Sequence, residues 1–255
     1  MEKRTGKGAM KMYSDVFCRV YNELGWNAYP EVFGDQLLKW LQVRNLRPKN
    51  ALDLGCGTGV LCRILQEHGI LARGMDLSEG MIAIAREASP QIPYEVADMI
   101  SYRPAGPFDL VTCTGDALNH IHDLIDVETI FQNVYGYTAP GGYFLFDILR
   151  RDEATAGEPF EVDFGENMRV WFRLTQPEEN QIALTVRIFE NGQLQLEEVI
   201  REKVHDHKTI CQLLQQAGFT VESCADRLLP DSNPSTTWYI VAKKCKFFQG
   251  GTEYV

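Results

Sequence analysis

Asp53-Leu54-Gly55-Cys56-Gly57-Thr58-Gly59 stands at the exit of the apolar run Ala51–Leu54, and this heptapeptide decides how the chain is read. Three glycines at alternate positions permit a tight turn and let backbone approach a ligand, because no Cβ intervenes. Val60, Leu61, Ile64, Leu65 and His68 then follow the spacing of one helix face, and Gly69 stops it. The loop therefore joins a buried strand to a helix N-terminus, the layout of a nucleotide-type site.

A glycine loop alone is compatible with a plain surface turn. Here the acid lies two places before the first glycine, and the spacing is G-x-G-x-G rather than the dinucleotide G-x-G-x-x-G. Leu71–Met75 leads to Asp76, an acid at the expected end of a second parallel strand, where it can accept hydrogen bonds from two ribose hydroxyls. Ile92–Ala97 leads to Asp98-Met99, a third strand ending in an acid that can reach an adenine amine. Glycines, Asp76 and Asp98 at three successive strand ends outline one adenosine-shaped ligand.

These residues closely resemble the class I S-adenosylmethionine-dependent methyltransferases. The matching stretches are "LDLGCGTG" at 52–59, "GMDLSEGMIAIA" at 74–85, "VADM" at 96–99, "FDLVTCTGDALNHI" at 108–121 and "APGGYFLFDI" at 139–148, in that order. The resemblance runs from Tyr13 to Lys243 and is strongest to the small-molecule branch of glycine/sarcosine-type and sugar-amine N-methyltransferases. It implies S-adenosylmethionine as cofactor and S-adenosylhomocysteine as product. It also implies a doubly wound, mostly parallel seven-stranded sheet, a Rossmann-like α/β methyltransferase fold. By the same resemblance Asp53, Gly55, Cys56, Gly57, Gly59, Asp76, Leu77, Met81, Asp98, Met99 and Thr114 hold the cofactor. Family members fold the N-terminal segment over it, which assigns Tyr21 and Tyr29 to the cofactor and Tyr13 to the substrate. This chain has Tyr21-Asn22 where the family pattern is Tyr-Asp, so one acidic contact is missing.

The expected organisation is an N-terminal helical cap over 1–48, a core over 49–157 and 204–245, an antiparallel insertion over 158–203, and a tail over 246–255. In the cap, Phe33, Leu37, Trp40 and Leu41 share a helix face. Strands are expected near 50–54, 71–75, 93–97, 108–113 and 142–147, and helices near 58–67, 79–88 and 124–138, with Pro140-Gly141-Gly142 closing that region. In the insertion the period changes from 3.6 to 2: Phe160, Val162 and Phe164 alternate, then Ile182, Leu184, Val186 and Ile188. Asn191-Gly192 is a strong hairpin signal. A sheet with one apolar face needs a cover, so the insertion either roofs the substrate, with an aromatic such as Trp171 in the acceptor pocket, or meets a second subunit in a homodimer.

Catalysis is expected after the fourth strand, at Thr114–His120, because ligands bind beyond the carboxyl ends of the strands. An amine acceptor arrives largely as ammonium and must lose a proton before its lone pair can attack. His120 suits that task, with Asp116 and Asn119 holding the acceptor's polar groups. His120-x-His122 and His205-x-His207, with Asp206, lack further ligands at metal-site spacing, so they read as solvated loop histidines and no metal is expected.

Composition bounds the partners. Net charge is −10 over 255 residues and no lysine/arginine cluster with interleaved aromatics occurs, which argues against nucleic acid and anionic membrane surfaces. No apolar stretch approaches the roughly 20 residues needed to span a bilayer. Seven cysteines without C-x-x-C spacing fit reduced thiols in the cytoplasm. The expected activity is N-methylation of a small amine or amino sugar. O-methylation of a small hydroxyl or carboxylate, a nicotinamide-dependent oxidoreductase, and a non-catalytic cofactor-binding protein are the alternatives.

Overall fold

The computed structural model describes residues 13–150 and 157–246; the basic start and the expected tail from 247 lie outside the described residues. Two helices open it, α1 (Asp15–Val20) and α2 (Ala28–Val43). The Ser14 side chain caps α1 by accepting from the Phe17 N–H. The core then alternates β1 (Asn50–Leu54), α3 (Val60–Glu67), β2 (Leu71–Asp76), α4 (Glu79–Ala88), β3 (Tyr94–Val96), β4 (Phe108–Cys113), α5 (Leu124–Tyr137) and β5 (Thr138–Leu149). It closes, after the four strands of the insertion, β6 to β9 over 160–203, with α6 (His207–Gln216), β10 (Thr220–Ala225) and β11 (Thr237–Lys243).

The main sheet has seven strands in the order β10-β11-β5-β4-β1-β2-β3. All pairs from β3 to β5 are parallel, and β11 runs antiparallel to both β5 and β10. This is the expected doubly wound α/β sheet. Each face buries its own core. Phe33, Leu37 and Trp40 of α2 pack with Leu61 and Leu65 of α3 on one side, and Val127, Ile130, Phe131 and Val134 of α5 pack with Phe144 and Phe146 on the other.

One boundary departs from expectation. Pro140-Gly141-Gly142 does not close the region but lies inside β5, which begins directly after α5. A Cβ on Gly142 would lie 3.0 Å from the carbonyl oxygens of Phe108 and Asp109, so glycine lets β5 run against β4 where the register shifts.

The insertion forms a separate four-stranded antiparallel sheet, β6 (Phe160–Phe164), β7 (Met168–Glu178), β8 (Gln181–Glu190) and β9 (Gln193–Lys203). Asn191 and Gly192 turn β8 into β9 with φ of 52° and 76°, the left-handed pair of a type I′ hairpin. Its apolar face is covered within the chain. Val170, Phe172, Val186 and Ile188 pack on Phe17, Cys18 and Val20 of α1 and on Met81 of α4. The second sheet is thereby fixed above the carboxyl ends of the parallel strands.

Candidate active site

A cavity of about 490 Å³ lies at those strand ends, between the glycine loop, α1 and the second sheet. Its size is that of a ligand pocket. Gly57, with φ +52°, lines it, and a Cβ there would meet no atom within 4 Å, so the loop presents bare backbone to the cavity. Gly59 has a different task. It caps α3 in a left-handed conformation (φ +77°), and a Cβ there would collide with the Tyr94 ring. Gly59 does not line the cavity, which corrects its expected contact with the cofactor.

Asp76 ends β2. Its Oδ2 accepts the Gly57 N–H at 2.9 Å and its Oδ1 accepts the Ser78 N–H at 2.8 Å. A carboxylate offers about four acceptor positions, so each oxygen keeps capacity for one ribose hydroxyl. Burial raises its pKa, and the backbone N–H groups of Ser78, Gly57 and Leu77 act in the opposite direction. Asp98 accepts the Ile100 N–H at Oδ1 (2.9 Å), and its Oδ2 takes no hydrogen bond among the described residues. Leu77, Met81, Met99 and Thr114 complete this half of the wall. The cradle therefore fits an adenosine.

Between the halves lies Asp53. Thr112 donates to its Oδ1 at 2.7 Å, and burial pushes its pKa up to about 7. Cys56 lines the cavity, but burial pushes its thiol well up, so it stays protonated and is no nucleophile. Asn22, the departure from the family pattern, accepts the Thr58 hydroxyl at 3.0 Å and ties the N-terminal segment to the glycine loop.

Tyr13, Tyr21 and Tyr29 all reach the cavity. Burial raises Tyr21 to about 12, and its ring meets Trp26 edge-on. The Tyr29 hydroxyl donates to Asp147 Oδ2. Asp147, wholly buried on β5, also accepts the N–H groups of Gly115 (3.2 Å) and Asp116 (3.1 Å), so it pins the loop after β4. That loop turns through Asp116 at φ +60° into one 3₁₀ turn, Ala117–His120. Asp116 lines the cavity with its Oδ1 buried and without a hydrogen-bond partner, and burial together with the charges of Asp147 and Glu202 raises its pKa well above the usual range. His120 Nε2 lies 3.3 Å from the Tyr13 hydroxyl and 3.7 Å from a carboxylate oxygen of Glu202. Burial lowers His120 to about 4 and raises Glu202 to about 7.

Three further expectations are corrected. Asn119 is fully buried and does not line the cavity: its amide donates to the Lys203 carbonyl (2.6 Å) and accepts the Leu149 N–H (3.1 Å). Both ends are occupied by backbone, so it holds the loop instead of the acceptor. Trp171 lies out of phase with the inward-facing Val170 and Phe172, under the Arg187 guanidinium (4.5 Å), and does not line the cavity. His205 is not a solvated loop residue. It is buried with Nε2 on the Ile121 carbonyl at 2.8 Å, while Asp206 caps α6 and His207 stacks on Trp238.

Glu202 and the aliphatic residues Leu174, Ile182, Leu184 and Ile200 line the cavity from the second sheet and were not foreseen as site residues. A signal existed. Leu196, Glu198, Ile200 and Glu202 share one phase of β9, and acids on the apolar phase of a strand call for a partner.

The family described as a methyltransferase domain matches residues 26–224. A protein of Geobacillus sp. (strain WCH70) that carries the name of a methyltransferase is 31% identical over 89% of this chain and 96% of its own length. The ubiquinone biosynthesis O-methyltransferase of Coxiella burnetii is 29% identical over 59% of this chain and 65% of its own. The sugar N-methyltransferase KedS8 from Streptoalloteichus sp. shares the fold with a TM-score of 0.74 at 18% identity, covering 96% of this chain and 98% of that one.

Proposed function

The chain belongs to the methyltransferase family, an S-adenosylmethionine-dependent enzyme, and from that premise we propose that it methylates the nitrogen of a small amine. S-adenosylmethionine supplies a methyl group on a sulfonium. Gly55, Gly57, Asp76, Leu77, Met81, Asp98 and Met99 are the residues that would hold it, with Asp53 near its methionine end.

One observation carries the acceptor reading. Among the described residues, the cavity wall bears five acids, Asp53, Asp76, Asp98, Asp116 and Glu202, and no lysine or arginine. Carboxyl groups removed from water take up a proton or attract a counter-charge, and no lysine or arginine of the described residues supplies one at this wall. A cationic ligand satisfies them, whereas a carboxylate acceptor would add to the repulsion. Asp116, whose Oδ1 has no partner, would take one N–H of the acceptor.

His120 would remove the acceptor's proton. Its imidazole is neutral at pH 7, and an ionised Glu202 3.7 Å away would strengthen it as a base by favouring the imidazolium. The Tyr13 hydroxyl, kept protonated by burial, would hold the ring in place from 3.3 Å. The sugar N-methyltransferase neighbour is consistent with this reading. O-methylation of a small hydroxyl is the second reading, favoured by the name of the Coxiella relative.

A panel of matched amines, alcohols and carboxylates, scored by S-adenosylhomocysteine release, tests the choice. Turnover is expected with amines. Turnover confined to alcohols would overturn the reading in favour of O-methylation.

A further inference from the structure

The acceptor end of the cavity is built from two unlike materials. Glu202 and Asp116 bring carboxyl groups, and Leu174, Ile182, Leu184 and Ile200 bring an aliphatic wall from β7, β8 and β9. Ile182 and Glu202 are directly paired across β8 and β9, so charge and hydrocarbon sit side by side on one sheet.

Glu202 has an unusual position for an acid. Its side chain is only 17% exposed, and its ion-pair contact is with His120, which burial keeps neutral. Three other acids of the wall have backbone or hydroxyl donors to lean on: Asp76 has Gly57 and Ser78, Asp98 has Ile100, and Asp53 has Thr112, whereas Asp116 shares the want of a donor at its Oδ1. Among the described residues, Glu202 has no such donor beyond the His120 contact. A buried carboxylate of this kind is costly until a cation reaches it. The aliphatic residues beside it offer nothing to the hydroxyl groups of a polar body, and stripping those hydroxyls of water against such a wall is unfavourable.

We propose that Glu202 is a specificity-determining residue that receives the ammonium group of the acceptor, while Leu174, Ile182, Leu184 and Ile200 receive its body, so that the acceptor is an amine on a largely hydrocarbon frame. The inference rests on the N-methylation reading above and narrows it. Charge selects at one end of the acceptor and the absence of hydroxyl groups at the other.

The test uses the full chain saturated with S-adenosylhomocysteine and three probes in calorimetry: cyclohexylamine, cyclohexanol and glucosamine. Cyclohexylamine is expected to bind about tenfold or more tighter than either of the others. Glu202→Gln should bring cyclohexylamine down to the level of cyclohexanol while leaving cyclohexanol unchanged, and Glu202→Asp should retain part of the preference. Unchanged affinity for S-adenosylhomocysteine shows that each variant is folded. An amine preference that survives Glu202→Gln overturns the role of Glu202. Glucosamine binding as tightly as cyclohexylamine, or no binding of cyclohexylamine at millimolar concentration, overturns the hydrocarbon frame. A wild-type preference for cyclohexanol instead overturns the N-methylation reading itself.

Discussion

The His120 imidazole and the Glu202 carboxylate face each other at 3.7 Å, one carried by the loop after β4 and the other by the last strand of the second sheet. Burial moves their titrations in opposite senses, His120 down to about 4 and Glu202 up to about 7. Between about pH 4 and 7 the pair is therefore uncharged, above that range Glu202 is anionic, and an arriving ammonium favours the anionic form.

If His120 removes the acceptor's proton, His120→Ala lowers kcat by about 10²–10⁴-fold, the usual worth of a general base. Affinity for S-adenosylhomocysteine changes little, because the ring lies at the acceptor end. Activity of the variant recovers in part at higher pH, where free amine is available without assistance. Steady-state kinetics across pH checks this, and full kcat at neutral pH would leave the histidine a packing role.

Asp76→Ala weakens binding of S-adenosylhomocysteine by about 1.5–3 kcal/mol, the scale of hydrogen bonds to a charged group. The Gly57 and Ser78 N–H groups lose their acceptor in the same substitution, so the glycine loop loosens as well. Calorimetry reads the affinity. An unchanged value would remove the ribose assignment.

Asn119→Ala destabilises the fold by about 1–3 kcal/mol, because it orphans the Leu149 N–H and the Lys203 carbonyl together. Denaturant unfolding measures that loss. The surviving folded enzyme should keep its pH–rate profile, unlike the His120 variant. A shifted profile with intact stability would return Asn119 to the chemistry.

Stability of the ligand-free protein should fall between pH 5 and 7.5. Asp53 and Glu202 are raised to about 7 and Asp147 to about 6, so the folded state holds protons that the unfolded chain has released. Their stabilising contribution is complete near pH 4 and is lost as pH rises through 6–7. His120, lowered to about 4, and His205, also lowered by burial, act oppositely below pH 6.5, two groups against five raised acids, since burial raises Asp76 and Asp116 as well. Thermal unfolding across this range checks the sign, and Glu202→Gln should make the slope shallower. A stability that rises steadily to pH 7.5 would contradict it.

The wall proposed for the donor was legible as a cluster in the sequence because its residues sit at strand ends that periodicity locates. The glycine loop, Asp76 and Asp98 are separated by whole strand–helix units, so their convergence follows from the topology of a parallel sheet. The acceptor half is built otherwise. Glu202 meets His120 only because the second sheet folds back over the core, and no local pattern carries that packing angle. Asn119 and Trp171 were misread for a related reason: loop position and residue type suggested a cavity contact, while burial and strand phase direct them elsewhere. The apolar alternation of the insertion did show that a cover was required. It could not show that α1 of the same chain provides it.

The two sheets share no strand, and the walls they give the cavity differ in what constrains them. The residues proposed to grip the donor double as turns and caps of the parallel core, so substitution there strains backbone. Leu174, Ile182, Leu184 and Ile200 belong to a sheet whose register is set by its own hairpins, and none of them lies on a strand that carries Asp76 or leads into the glycine loop. Such an arrangement separates inheritance from adaptation. On the proposed reading, acceptor choice can drift, or be redirected by a library confined to four aliphatic positions, while the methyl source stays the same.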